Sequence, residues 1–298
     1  MKKSFIAASL LLLSLPSFAA LNVLACEPEW AALTAELGGD KVNVASATTA
    51  LQDPHRIEAR PRLIARARNA DLLVCTGLEL EAGWLPILVQ QSGNPKIAAG
   101  KPGYFEAGHV VPRLEIPTRV DRADGDVHAG GNPHIQQDPR NILRVADALA
   151  KRLAEIDPGN TTVYQSRHKD FSAKWNAAML EWSRRAAPLK GLAVVEQHKN
   201  MAYLLNWLGM RSIGTLEPKP GVEPSVAHLS ALLNSLQGQA PKMVLRAAYQ
   251  DGRPAQWFSE RARIPAVVMP FTVGGSDQAK DLFGLFDDSI QRLLDAAK

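Results

Sequence analysis

Seven histidines, His55, His109, His128, His134, His168, His198 and His228, are the residues here most suited to chemistry. Three share a setting. His55 lies in Gln52-Asp53-Pro54-His55, after an apolar run that reads as a strand. His134 lies in Gly130-Gly131-Asn132-Pro133-His134, just ahead of a helix, and His198 ends Val195-Glu196-Gln197-His198. Each sits where a strand or loop gives way to the next element, and open α/β sheets bind ligands at the carboxyl ends of their strands. The proline before His55 and before His134 disfavours a helical residue ahead of it and stiffens each loop. A neutral imidazole is the commonest zinc ligand. One loop histidine is most simply a surface residue; three in matched settings can converge on one divalent ion. His168 and His228 fall inside helices and are read as structural. His109 and His128 fall in an irregular stretch, where His128, six residues before His134, is a candidate accessory metal-catching group.

The elements that must position these rings follow from periodicity. From Leu21 to about Gln137, apolar strand-like runs (Leu21–Cys26, Val42–Ala45, Asp71–Cys75) alternate with helical ones (Trp30–Leu37, Pro61–Asn69). Alternation of this kind gives βαβ units and a parallel sheet. Residues 101–131 lack periodicity and read as a long irregular surface segment. Asp138-Pro139 opens a helix ending at Asp157-Pro158-Gly159. Residues 160–187 then run without proline or glycine, and Phe171, Trp175, Met179 and Trp182 fall on one helical stripe. The alternation restarts at Gly191 and closes in a helix over 277–297. The fold expected is α/β, with two lobes, each a small parallel sheet with flanking helices, joined by one long backbone helix. The expected divisions are 20–159, 160–187 and 188–298.

With 46% hydrophobic residues and a net charge of only +4, the chain of 298 residues is neither a disordered tail nor a nucleic-acid binder. No Walker loop, dinucleotide fingerprint, nucleophile elbow or H-E-x-x-H helix is present. Lys2 and Lys3, the apolar run from Phe5 to Leu15, Pro16 and Ser17-Phe18-Ala19 together read as a secretory signal peptide over residues 1–19. An exported, monomeric, periplasmic protein is expected. Two cysteines in such a protein favour a disulfide. Cys26 and Cys75 close two strand-like runs, whose ends would meet if the strands were parallel neighbours. Two buried thiols, or a lipidated Cys26, are the alternatives; lipidation would delete the first strand.

The chain resembles the zinc/manganese-binding receptors of ABC importers. Asp53-Pro54-His55 with Glu58 and Pro61 resembles the family's first-ligand loop, and Ala70–Val74 with Gly77, Glu81 and Trp84 the stretch that follows it. Asn132-Pro133-His134-Ile135 with Asp138-Pro139 resembles the second-ligand motif, in which Asp is usual in place of Asn132. His198 with Tyr203 resembles the third. The resemblance implies capture of one divalent ion and its delivery to an inner-membrane permease. Three imidazoles favour Zn2+ over Mn2+, which prefers oxygen ligands. Where the family often carries a ligand aspartate, around Pro270–Thr272, there is no carboxylate. Asp277, across the Gly274-Gly275 turn, is the candidate fourth ligand, with a helix-cap role as its competitor; water otherwise completes the site. Two other functions are a receptor for a chelated metal or siderophore and a secreted zinc hydrolase using Glu196 or Glu58 as base.

Overall fold

The computed structural model describes residues 20–298 except 122 and 124; the expected signal peptide lies outside the described residues. The first lobe comprises β1 (Leu21–Ala25), α1 (Pro28–Gly38), β2 (Val42–Ser46), α2 (Pro61–Arg68), β3 (Leu72–Cys75), α3 (Leu85–Ser92), β4 (Tyr104–Glu106) and α4 (Pro139–Ile156). The long helix α5 spans Thr161–Arg185. After it come β5 (Ala193–Glu196), α6 (Ala202–Leu208), β6 (Arg211–Thr215), α7 (Val226–Ser235), β7 (Met243–Ala247), α8 (Arg253–Ala262), β8 (Ala266–Met269) and α9 (Leu282–Ala297).

Both sheets are four-stranded and parallel and share one order, β2-β1-β3-β4 and β6-β5-β7-β8. The central strands β1, β3, β5 and β7 read as short, almost unbroken apolar runs because helices cover both faces of each sheet. Prolines open α1, α2 and α4, where a missing N–H costs nothing. The Asp138 side chain caps α4 by accepting from the Arg140 N–H. As neighbours in one sheet, β1 and β3 bring Cys26 and Cys75 to a Cα separation of 4.8 Å, and the two are joined in a disulfide.

Helix α5 supplies the packing between lobes. Phe171, Trp175 and Trp182 are buried along it, with Met179 half-buried. They meet Phe283 and Phe286 of α9, with Trp175 and Phe283 edge to face at 4.8 Å. The Trp175 indole N–H donates to the Pro139 carbonyl at the start of α4, and that of Trp182 to Asp287 of α9. One stripe therefore touches a first-lobe helix and a second-lobe helix at once, which explains its aromatic content.

Four details differ from the sequence reading. The segment 101–131 is not wholly irregular: it opens with β4, an edge strand paired to β3. Helix α3 escaped notice because Pro86 and the short run to the left-handed Gly93 left too few turns for a period to emerge. Strand β6 has exposed Arg211 and Ser212 and little apolar signature. The last helix starts at Leu282 rather than 277, with Asp281 as its cap accepting from the Gly284 N–H.

Replacing Trp175 with alanine removes a buried ring that both lobes contact. Urea unfolding of Trp175→Ala is expected to show a loss of about 3–5 kcal/mol.

Candidate metal site

Each of the three histidines is fixed by its own local device. The loop after β2 turns at Asp53, whose carboxylate accepts from the His55 backbone N–H at 3.0 Å and meets His55 Nδ1 at 2.7 Å. The buried Trp84 indole donates to the Pro54 carbonyl at 2.8 Å and anchors the loop to the lobe. His134 is placed by Asn132, whose side-chain oxygen accepts from the His134 N–H at 3.0 Å. His198 follows β5, and its Nδ1 lies 2.7 Å from Glu217 just beyond β6.

These loops bring one nitrogen from each of His55, His134 and His198 within 4.8 Å of one another. The ring centroids are 5.5, 5.9 and 5.6 Å apart, and all three pairs meet edge to face. Two rings come from the first lobe and one from the second. A carboxylate can only accept, so Asp53 and Glu217 place the proton of His55 and His198 on Nδ1 and leave the Nε2 lone pair free. His55 Nε2 is buried and has no hydrogen-bond partner among the described residues. Among the described residues no carboxylate backs His134; Phe271 packs against its ring edge to face at 5.5 Å instead.

The electrostatics favour a neutral His134. Burial, reinforced by the neighbouring imidazoles, holds His134 well below the usual histidine range. Burial alone would raise the Asp53 carboxyl, but its hydrogen bonds and charge interaction with His55 outweigh that and leave it low. The unfolded chain takes up a proton near pH ~6.5 that buried His134 refuses, so this residue's contribution to apo-protein stability falls as pH drops below that value. One opening beside the rings is lined by Asp53, Asp126, Glu217, Glu223 and Asp251, with Arg56 among them, and this acidic approach attracts cations.

The lobes are tied around the site. The Asn132 amide donates to the Lys199 carbonyl, and the Tyr203 hydroxyl donates to the Asn132 carbonyl while accepting from the Leu114 N–H. Gln137 donates to the Phe271 carbonyl, and Thr272 donates to buried Glu29 of α1. Burial pushes the Glu29 carboxyl up to about 7.

Asp277 is not brought to the three histidines. Gly274 and Gly275 fold the chain back after Phe271, where a Cβ on Gly275 would collide with the Pro270 carbonyl oxygen. That turn carries Asp277 out to solvent, and the cap of α9 is Asp281. His128 does come to the site: its ring stacks on His55 at 5.4 Å, outside the group of three. His109 is exposed beside Glu106, while His168 and His228 lie in α5 and α7. Of the proposed bases, Glu58 is exposed against Arg60, and Glu196 is buried accepting from the Met201 N–H. Sequence reasoning missed Glu217, which no local motif marks, and Phe271, whose left-handed backbone (φ 63°) is unusual for a bulky residue.

Loss of an outer carboxylate typically costs 10–100-fold in metal affinity. Glu217→Gln is expected to weaken metal binding by roughly that factor in a competition titration, with the unfolding midpoint of the apo-protein nearly unchanged.

A family profile described as "Zinc-uptake complex component A periplasmic" (ZnuA) matches residues 23–296. The manganese ABC transporter substrate-binding lipoprotein PsaA of Streptococcus anginosus is 25% identical over 267 residues, 88% of this chain and 83% of PsaA. The iron ABC transporter substrate-binding lipoprotein MtsA of Streptococcus pyogenes serotype M1 is 25% identical over 262 residues, covering 85% and 80%. Among solved structures, a crystal structure of ZnuA superposes with a TM-score of 0.77 at 22% identity, covering 94% of this chain and all of that one. The Mn-bound periplasmic metal-binding protein of Candidatus Liberibacter asiaticus gives 0.75 at 18% identity, covering 93% and 99%. The likeness in structure carries the fold, and the profile carries the assignment: this chain belongs to the ZnuA family of periplasmic metal-uptake components.

Proposed function

We propose that this protein is the periplasmic zinc receptor of an ABC importer, holding one Zn2+ between its lobes on His55, His134 and His198 and handing it to an inner-membrane permease. The observation that carries the reading is the convergence of three imidazole nitrogens from two lobes within 4.8 Å. Family membership supports the receptor role, and the donor set supports the ion. The relatives PsaA and MtsA are named for manganese and iron. Here the three converging donors are imidazoles, a set that suits zinc, whereas manganese is better served by carboxylate, carbonyl and water. The two openings beside the rings, about 180 Å³ each, suit a bare ion better than a bulky chelate, which favours this reading over a siderophore receptor. The ion is cargo, so its release requires the second-lobe ring of His198 to part from the two first-lobe rings. The shared aromatic stripe on α5 favours a small tilt for that step.

The test is native mass spectrometry of metal-stripped protein offered equimolar zinc, manganese, copper and nickel. One zinc retained by the wild type and lost from His134→Ala is the expected result; retention of manganese instead, or of no metal, overturns the reading. Ligation needs neutral imidazoles, so zinc affinity is expected to fall steeply as pH is lowered from 7.5 to 5. An unchanged affinity over that range, measured by competition with a pH-corrected chelator, would contradict three-imidazole binding.

A further inference from the structure

Between β4 and α4, the stretch around residues 126–131 runs beside the rings as a strap, lining their cavity with Asp126, Val127, His128 and Gly131. It is fastened to both lobes at defined points. On the first-lobe side, the Ala129 N–H donates to Glu79 at 2.7 Å, and Glu79 itself sits in a left-handed turn (φ 68°). On the second-lobe side, the Asp126 N–H donates to the Pro220 carbonyl at 3.0 Å, and Lys219 donates to the Ala123 carbonyl. The turn that receives the strap is held by Glu217, whose Oε2 accepts from the Gly221 N–H at 2.8 Å while contacting His198 Nδ1. One carboxylate thus fixes both the His198 ring and the turn on which the strap rests.

His128 is delivered by that strap. Its ring lies 5.4 Å from His55, tilted by 28°, and it lines the same cavity as His134 and His198. Among the described residues, its Nε2 is buried and has no hydrogen-bond partner, as is the case for His55 Nε2. Two imidazole nitrogens on neighbouring rings, both buried and both unpartnered among the described residues, are a cost that a shared ligand would remove. Four imidazoles held tetrahedrally at about 2.0–2.1 Å from a zinc ion would have ring centroids roughly 5 Å apart. The three pairs among His55, His134 and His198 lie at 5.5–5.9 Å, and the His55–His128 pair at 5.4 Å is just shorter.

We infer that His128 is the fourth metal ligand, carried in by the strap, so that the loaded site is an all-imidazole cage of His55, His128, His134 and His198. Among the described histidines, only His55, His134 and His198 have nitrogens within 4.8 Å of one another, so the strap moves inward by a short step when the ion arrives. The consequence is selectivity. A fourth nitrogen leaves no oxygen donor from the protein and disfavours manganese more strongly than a three-histidine site completed by water. It also couples loading to the lobes, because the strap rests on the turn that Glu217 shares with His198. This inference rests on the receptor reading proposed above.

The test is X-ray absorption spectroscopy at the zinc edge, with a zinc competition titration, on the wild type, His128→Ala and the control His109→Ala. The expected result is four imidazole scatterers in the wild type and His109→Ala and three in His128→Ala. Zinc affinity in His128→Ala is expected to fall by about tenfold or more, with manganese affinity little changed. Apo-protein melting temperatures for all three report that folding is intact. Three imidazoles and equal zinc affinity in the wild type and His128→Ala would overturn the fourth-ligand assignment and leave the receptor reading standing. Failure of the wild type to retain zinc would remove both.

Discussion

Everything in this structure answers to one demand. Three nitrogen lone pairs, supplied by two separate lobes, must point at a common spot without satisfying one another. Neutral imidazoles offer no mutual attraction that would hold such an arrangement, and their burial leaves polar atoms without partners. The position must therefore be imposed from outside. Asp53 and Glu217 impose it on two rings by fixing the proton on the far nitrogen. His134 is held by packing against Phe271, which adopts a left-handed backbone to reach it. At the next level the lobes themselves must not drift. Asn132, Tyr203, Gln137 and the Glu29–Thr272 contact span the boundary with polar bonds, and the aromatic stripe of α5 spans it with apolar area.

The two kinds of fastening differ in what they allow. The stripe packs Trp175 against α4 and α9 and Trp182 against α9, and resists separation because it buries apolar surface in proportion to area. The polar ties cluster beside the rings and are short, directional and few. A small rotation can break the second set while leaving the first intact. The geometry therefore suits a receptor that must hold an ion firmly and still yield it without wide opening.

Much of this was readable in the residues. Alternating apolar runs identified two parallel sheets, and the uninterrupted stretch before Pro188 identified the long helix. The positions of His55, His134 and His198 at element boundaries marked three rings that the fold brings together, because strand ends and proline-stiffened loops are local features. What was not readable depends on distance along the chain. Glu217 lies 19 residues from the ring it orients, in a turn with no distinctive composition. The displacement of Asp277 follows from a glycine turn whose direction is set by packing against the Pro270 carbonyl, which no local pattern encodes. Tyr203 was visible as part of a motif, but its role as a bridge between lobes became evident only from its hydrogen bonds to Asn132 and Leu114.

The contact between the strap and the second lobe constrains how the sequence itself can change. Gly125 and Gly221 both have positive φ, and they face each other's loops closely. A Cβ on Gly125 would lie 2.3 Å from the Pro220 carbonyl oxygen, and one on Gly221 2.2 Å from an Asp126 carboxylate oxygen. The obstacle facing Gly125 is main chain, so no change of side chain in the opposing loop can make room for a substituent there. The strap and its receiving turn are thus barred from drifting independently over generations. A lineage that lengthens or decorates the strap must give up this seam altogether rather than adjust it one residue at a time.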